Sequence, residues 1–174
     1  MAYKSGLTEN GKQKLVFKRM PGFTKDQEQL LPCGKCISCK LSYAKEWALR
    51  IYHEASLREH NCFVTLTYNE EHLPKDKSVT RREVQTFTKR LRRAISPRKI
   101  MTFYCGEYGE KKSRPHYHMI ILGYDFPDKQ YLRTSNSGNV LWDSEILDTL
   151  WSDKNGKTKG FANIGEVSFE SAGS

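Results

Sequence analysis

The stretch "KIMTFYCGEYGEKKSRPHYHMIILGY" (residues 99–124) contains two runs rich in β-branched, aromatic and apolar residues, joined by the polar connection "EYGEKKS". Runs of this kind separated by turn formers predict two strands of a β-hairpin. In a strand, residues i and i+2 share a face with Cα atoms ~6.5–7 Å apart, so His116 and His118 point the same way. If the hairpin pairs Glu107 with His116, Cys105 falls opposite His118. Both then join the histidine face, because directly paired residues share a side. Two neutral imidazoles beside a carboxylate, with positions left for phosphate oxygens and water, suit Mg²⁺ or Mn²⁺ on a nucleic-acid phosphate. Cys105 as a ligand would instead favour Zn²⁺. The plainer alternative is a pair of exposed strand histidines. The apposed Glu107, the adjacent Arg114 and the apolar anchor "MIIL" favour the site.

Working outward, "CFVTLTY" (residues 62–68) alternates and reads as a further strand, with Thr65 and Thr67 on its polar face. Upstream, "CKLSYAKEWALRIYHEASLREH" has helical periodicity, with Leu41, Ala44, Trp47, Ala48, Ile51 and Ala55 on one stripe. "VTRREVQTFTKRLRRAI" predicts a second helix, with Val84, Phe87 and Leu91 facing inward and Thr80 and Glu83 spaced as a capping box. Downstream, "DFPDKQYLRTSNSGN" reads as a loop, "LWDSEILDTLW" as a third helix and "FANIGEVSFE" as a last strand. "SAGS" then resembles the opening of another helix. Residues 1–32 are polar and irregular, with one strand at "KLVFKRM". Helices interleaved with antiparallel strands predict an α+β fold, a central antiparallel sheet with one face covered by helices.

Composition narrows the partners. The net charge is +9, and residues 80–99 carry eight Lys and Arg in twenty positions. Such clustering is either a solvated face or a phosphate-binding one, and it favours nucleic acid. Arg81, Arg82, Lys89, Arg90, Arg92, Arg93 and Arg114 are the candidate phosphate contacts. Tyr108, Tyr117 and Arg114 are candidates for stacking on unpaired bases, although parity turns Tyr117 toward the core. The longest apolar run is four residues, 119–122, against the ~20 that a membrane span needs. The N-terminus lacks an apolar signal region. These features predict a cytoplasmic protein with reduced thiols. Cys33, Cys36 and Cys39 are spaced C-x2-C-x2-C just before the first helix, which in a reducing compartment favours a structural zinc site over disulfides. Zinc wants a fourth ligand, for which Cys62, Cys105, His53 and His60 are candidates. The plain alternative is three free thiols.

Together, "FVTLTY" (residues 63–68), "YCGEYGE" (104–110) and "RPHYHMIILG" (114–123) resemble motif one, the acidic strand and the His-hydrophobic-His motif of the HUH-type endonucleases, the rolling-circle replication initiators. With "PCGKCISCKLSYAKEWALRIYHEASL" included, the chain is similar to the initiators of gokushovirus-type microviruses over roughly residues 30–170. The resemblance implies an HUH architecture (ferredoxin- or RRM-like), with residues 33–174 as the nicking domain after a polar segment 1–32. It implies a divalent ion, Mg²⁺ or Mn²⁺, at His116 and His118, with Glu107 as the acidic ligand. It further implies single-stranded origin DNA as substrate, cleavage through a phosphotyrosine intermediate in the cytoplasm of an infected bacterium, and host replication proteins as further partners.

In that family the nucleophilic tyrosine follows the histidine strand, on a helix after one more strand. All nine tyrosines here lie at or before Tyr131, and none stands in the expected place. The expectation is a chain truncated before the tyrosine helix, which binds DNA without nicking it efficiently. The rival reading, of another class, is a non-catalytic single-strand-binding module with a structural zinc site. Such a module has no need for Glu107, His116 and His118 to converge.

Overall fold

The computed structural model describes residues 2–18, 20–29, 31–109, 113–136 and 138–168. Two compact units divide the chain, Met1–Ala44 and Lys45–Ser174. In the first, β1 (Ala2–Leu7) lies between β2 (Gln13–Val16) and β3 (Glu28–Gln29) in a small antiparallel sheet. The turn that joins β1 to β2 closes through the Thr8 N–H on the Lys12 carbonyl at 2.7 Å, with Gly11 at φ +70°. Residues 1–32 therefore hold more strand than expected. The polar residues and Gly6 of "AYKSGL" hide β1, because only Ala2 and Tyr3 are buried. Helix α1 (Ile37–Ser56) begins in this unit and ends in the next.

The second unit is built on a six-stranded sheet, in the order β5-β6-β4-β9-β8-β7. Its strands are β4 (Asn61–Leu66), β5 (Met101–Tyr108), β6 (Pro115–Leu122), β7 (Gln130–Thr134), β8 (Val140–Asp143) and β9 (Ala162–Gly165), and every ladder is antiparallel. Two helices complete it, α2 (Arg81–Ala94) and the short α3 (Glu145–Leu150). The α+β class and the central antiparallel sheet are as predicted.

Alternation along β6 sorts the core into two layers. Tyr117, Met119 and Ile121 join Val64 and Leu66 of β4, Val84, Phe87 and Leu91 of α2, and Leu147 and Leu150 of α3 in one cluster. Ile120 and Leu122 turn the other way and meet Ala48, Ile51 and Ala55 of α1, with Phe63 and Phe103 beside them. Helices thus cover both faces, where one covered face was expected. This explains "MIIL": a strand buried on both sides reads as a continuous apolar run. The α1 stripe is buried only in its second half, and Leu41 is exposed.

Four local expectations need correction. The Thr80–Glu83 capping box does not form, since Thr80 makes no side-chain cap. The Thr80 N–H donates instead to the Tyr117 hydroxyl at 2.8 Å, which donates in turn to the Thr80 carbonyl at 3.2 Å, and Glu83 pairs with Lys159. The "loop" of residues 125–139 contains β7, an edge strand exposed along its length and hence without alternation to read. The first residues of the expected third helix form β8. The Ser144 hydroxyl then accepts the Leu147 N–H at 3.1 Å and starts α3. The last strand is shorter than "FANIGEVSFE", whose final two residues, like "SAGS", lie outside the described residues.

Candidate metal centre and nucleic-acid face

The β5–β6 register pairs Glu107 with His116 and Cys105 with His118. The hairpin therefore carries two histidines and a carboxylate to the sheet face on which Ile120 and Leu122 meet α1. Glu107 Oε2 lies 3.5 Å from His116 Nε2 and 3.3 Å from His118 Nε2. An ion bonded at ~2.1 Å holds adjacent donor atoms roughly 3.0–3.4 Å apart, so this spacing fits one divalent ion. The three residues form a group that can bind metal. The histidine side chains are about one-fifth exposed and Glu107 is 56% exposed, which leaves the group open on one side.

Neighbours aim both Nε2 atoms. His116 Nδ1 is 3.2 Å from the Arg114 carbonyl, a contact only its N–H form can make, so Nε2 is left as the lone-pair donor. His118 Nδ1 is 3.1 Å from the Thr65 hydroxyl, and Phe63 stacks on its ring at 5.2 Å. Burial holds the His118 pKa below its ordinary value, the neighbouring His116 charge lowers it further, and Glu107 opposes both. The lowered pKa favours the neutral imidazole, the form that binds metal. Phe63 was missed in the sequence. Its signal was parity, since residues 63 and 65 share the strand face that the register sets against Ile120 and His118.

The remaining candidates scatter. Thr67 donates to the Phe161 carbonyl at 2.8 Å. Arg114 is held by Glu70 and by the Tyr68 carbonyl, the latter at 2.9 Å. Arg90 is tied to the carbonyls of Leu150 and Ser152, and Arg81 donates to the Tyr104 hydroxyl at 3.2 Å. Arg82, Lys89, Arg92 and Arg93 are exposed. All six basic residues of α2 belong to the helix that covers the opposite sheet face, so they do not converge on the histidines. Tyr117 is 2% exposed and wedged among Tyr68, Trp151 and Thr80, which removes it as a base-stacking platform, while Tyr108 stays half-exposed. Between Glu107 and Cys105 sits Gly106, where a Cβ would meet that of Val79 at 2.9 Å, so the approach of residues 79–80 to the hairpin requires glycine there.

Cys33, Cys36 and Cys39 form a second group that can bind metal, made of three thiols among the described residues. Of the proposed fourth ligands, Cys62 is buried in the α2-side core and Cys105 sits opposite His118. No helix among the described residues is long and apolar enough to cross a membrane.

Residues 61–173 match the family of replication-associated proteins described under the name ORF2. "Replication-associated protein VP4" of Bdellovibrio phage phiMH2K is 32% identical over 180 aligned residues, covering 97% of this chain and 53% of that protein. "Replication-associated protein ORF2" of Spiroplasma virus 4 is 34% identical over 150 residues, 82% of this chain and 45% of that one. "Replication-associated protein ORF4" of Chlamydia phage 1 is 35% identical over 128 residues, 70% of this chain and 32% of that one. The chain thus spans about half or less of the length of these relatives. No solved structure matches it. The chain belongs to the ORF2-type replication-associated protein family of phages.

Proposed function

We propose that this chain is the metal-holding, DNA-binding part of a rolling-circle replication initiator, a strand-specific nickase acting on single-stranded origin DNA. One observation carries the reading: Glu107, His116 and His118, drawn from two strands, point three donor atoms at one spot on an open sheet face. The HUH architecture belongs to the same proposal, supported by the histidine pair on an inner strand of an antiparallel sheet.

Glu107, His116 and His118 would hold Mg²⁺ or Mn²⁺, which supplies Lewis-acid polarisation of a scissile phosphate. Thr65 and the Arg114 carbonyl orient the imidazoles, and Phe63 fixes the ring plane of His118. The exposed cations of α2 add salt-dependent phosphate contacts on the other face. Cleavage through a 5'-phosphotyrosine link needs a tyrosine hydroxyl beside the ion, and the chain holds nine tyrosines. Of these nine, Tyr3, Tyr68, Tyr117 and Tyr124 are buried. The hydroxyls of Tyr104 and Tyr108 accept from Arg81 and the Val79 N–H.

Calorimetric titration with Mn²⁺, alongside single-strand binding by fluorescence anisotropy, tests the reading. Mn²⁺ binding lost in His116→Ala supports the initiator. Mn²⁺ binding unchanged in that variant, with only DNA affinity altered, supports the non-catalytic module. Robust covalent adducts between this chain and an origin strand would show that one of its own tyrosines is the nucleophile.

A further inference from the structure

Ahead of α1, residues 31–36 have no regular secondary structure, yet three side chains converge there. The Sγ atoms of Cys33, Cys36 and Cys39 lie within 4.8 Å of one another, with Cys33 and Cys39 at 3.8 Å. A disulfide would need ~2.05 Å. A tetrahedral ion with ~2.3 Å bonds to sulfur holds its ligands ~3.8 Å apart. Apolar burial does not gather these thiols, since Cys33 and Cys36 are exposed and Cys39 is half-buried. The Cys36 N–H donates to the Cys33 sulfur at 3.3 Å, as it would to a thiolate. That bond and the Lys35 N–H pull the Cys33 thiol down to about 6. The Gly34 N–H pulls Cys39 down too, but the Cys36 and Cys33 side chains push it above its ordinary value. Sulfurs this close do not all ionise unless a cation lies among them.

We propose that Cys33, Cys36 and Cys39 hold one zinc ion as three thiolates, with the fourth position left to an exchangeable ligand, and that this ion fixes the first turn of α1. Cys36 precedes the helix and Cys39 is its third residue, so the ion ties the loop at Cys33 to the helix itself. Zinc with three thiolates carries a net charge of −1, which the unpaired N–H groups of a helix N-terminus favour. The all-sulfur donor set separates this ion from the one at Glu107, His116 and His118, where two nitrogens and a carboxylate oxygen converge.

The test uses the intact chain after gel filtration. Metal analysis should find close to one zinc per chain, and a strong chelator should expose three additional thiols to a thiol reagent. Cobalt in place of zinc should show thiolate-to-metal charge-transfer absorption. Cys36→Ser should lose the zinc and the charge-transfer band yet keep Mn²⁺ binding, while His116→Ala should do the reverse. Less than about half a zinc per chain, with no thiols protected from reagent, overturns the proposal. So does a Cys33–Cys39 disulfide, or iron with labile sulfide, in the wild-type protein. Metal content and thiol counts are read on the wild type, so a Cys36→Ser variant that fails to fold leaves the proposal decided.

Discussion

The cysteine trio and the Glu107–His116–His118 group each gather three ligands, by opposite routes. The cysteines stand three residues apart in one loop and helix start, so local chain geometry alone brings them together. Glu107 and the histidines sit on separate strands and meet only because the β5–β6 register is what it is. The first group is set on a small, mostly exposed unit, whereas the second stands on a sheet buried on both faces. A local group can be organised by its ion, while a group on a rigid sheet is organised before any ion arrives.

That contrast breaks most readily at the ligands. His116→Ala or His118→Ala should weaken Mn²⁺ binding roughly 100-fold or more, beyond the 10–100-fold typical of outer-shell changes. Calorimetry reads the loss, and the circular dichroism spectrum should be unaltered because the sheet does not depend on the ion. Cys36→Ser should do the opposite, lowering amide-exchange protection in the first turns of α1 while β4 and β6 keep theirs, as mass-resolved hydrogen exchange would show. Equal loss in both regions would mean that the two groups are not independent.

A smaller effect sharpens the comparison. Thr65→Val removes the hydroxyl beside His118 Nδ1 and should cost about 10-fold in Mn²⁺ affinity with zinc content unchanged. An unchanged affinity would show that Phe63 stacking alone orients the ring. Smallest is a pH effect. The folded-state pKa of His118 lies below its ordinary 6.5, so the unfolded chain binds the proton more readily. The contribution of His118 to the stability of the metal-free chain is then fully present above about pH 6.5 and is lost as pH falls below it toward the folded-state pKa. Denaturant midpoints across that window check this, and His118→Gln should flatten the dependence.

How legible each part was follows from the range of the interactions behind it. The hairpin, its face parity and the pairing of Glu107 with His116 came from alternation and from a short connection. Helix α2 came from Val84, Phe87 and Leu91, which the fold buries at that spacing. The edge strand β7 was hidden because an exposed strand needs no pattern, and β8 because its apolar residues ran into those of α3. The capping box failed because Tyr117, 37 residues away, reached the N-cap first.

By itself the sequence determined which residues are the candidates, since histidine parity, the C-x2-C-x2-C spacing and the basic run are properties of the chain. Only the tertiary structure decided what surrounds them. It brought Phe63 and Thr65 to His118 and placed the arginines of α2 behind the sheet, because β pairing and two-sided burial are long-range constraints that no local window contains.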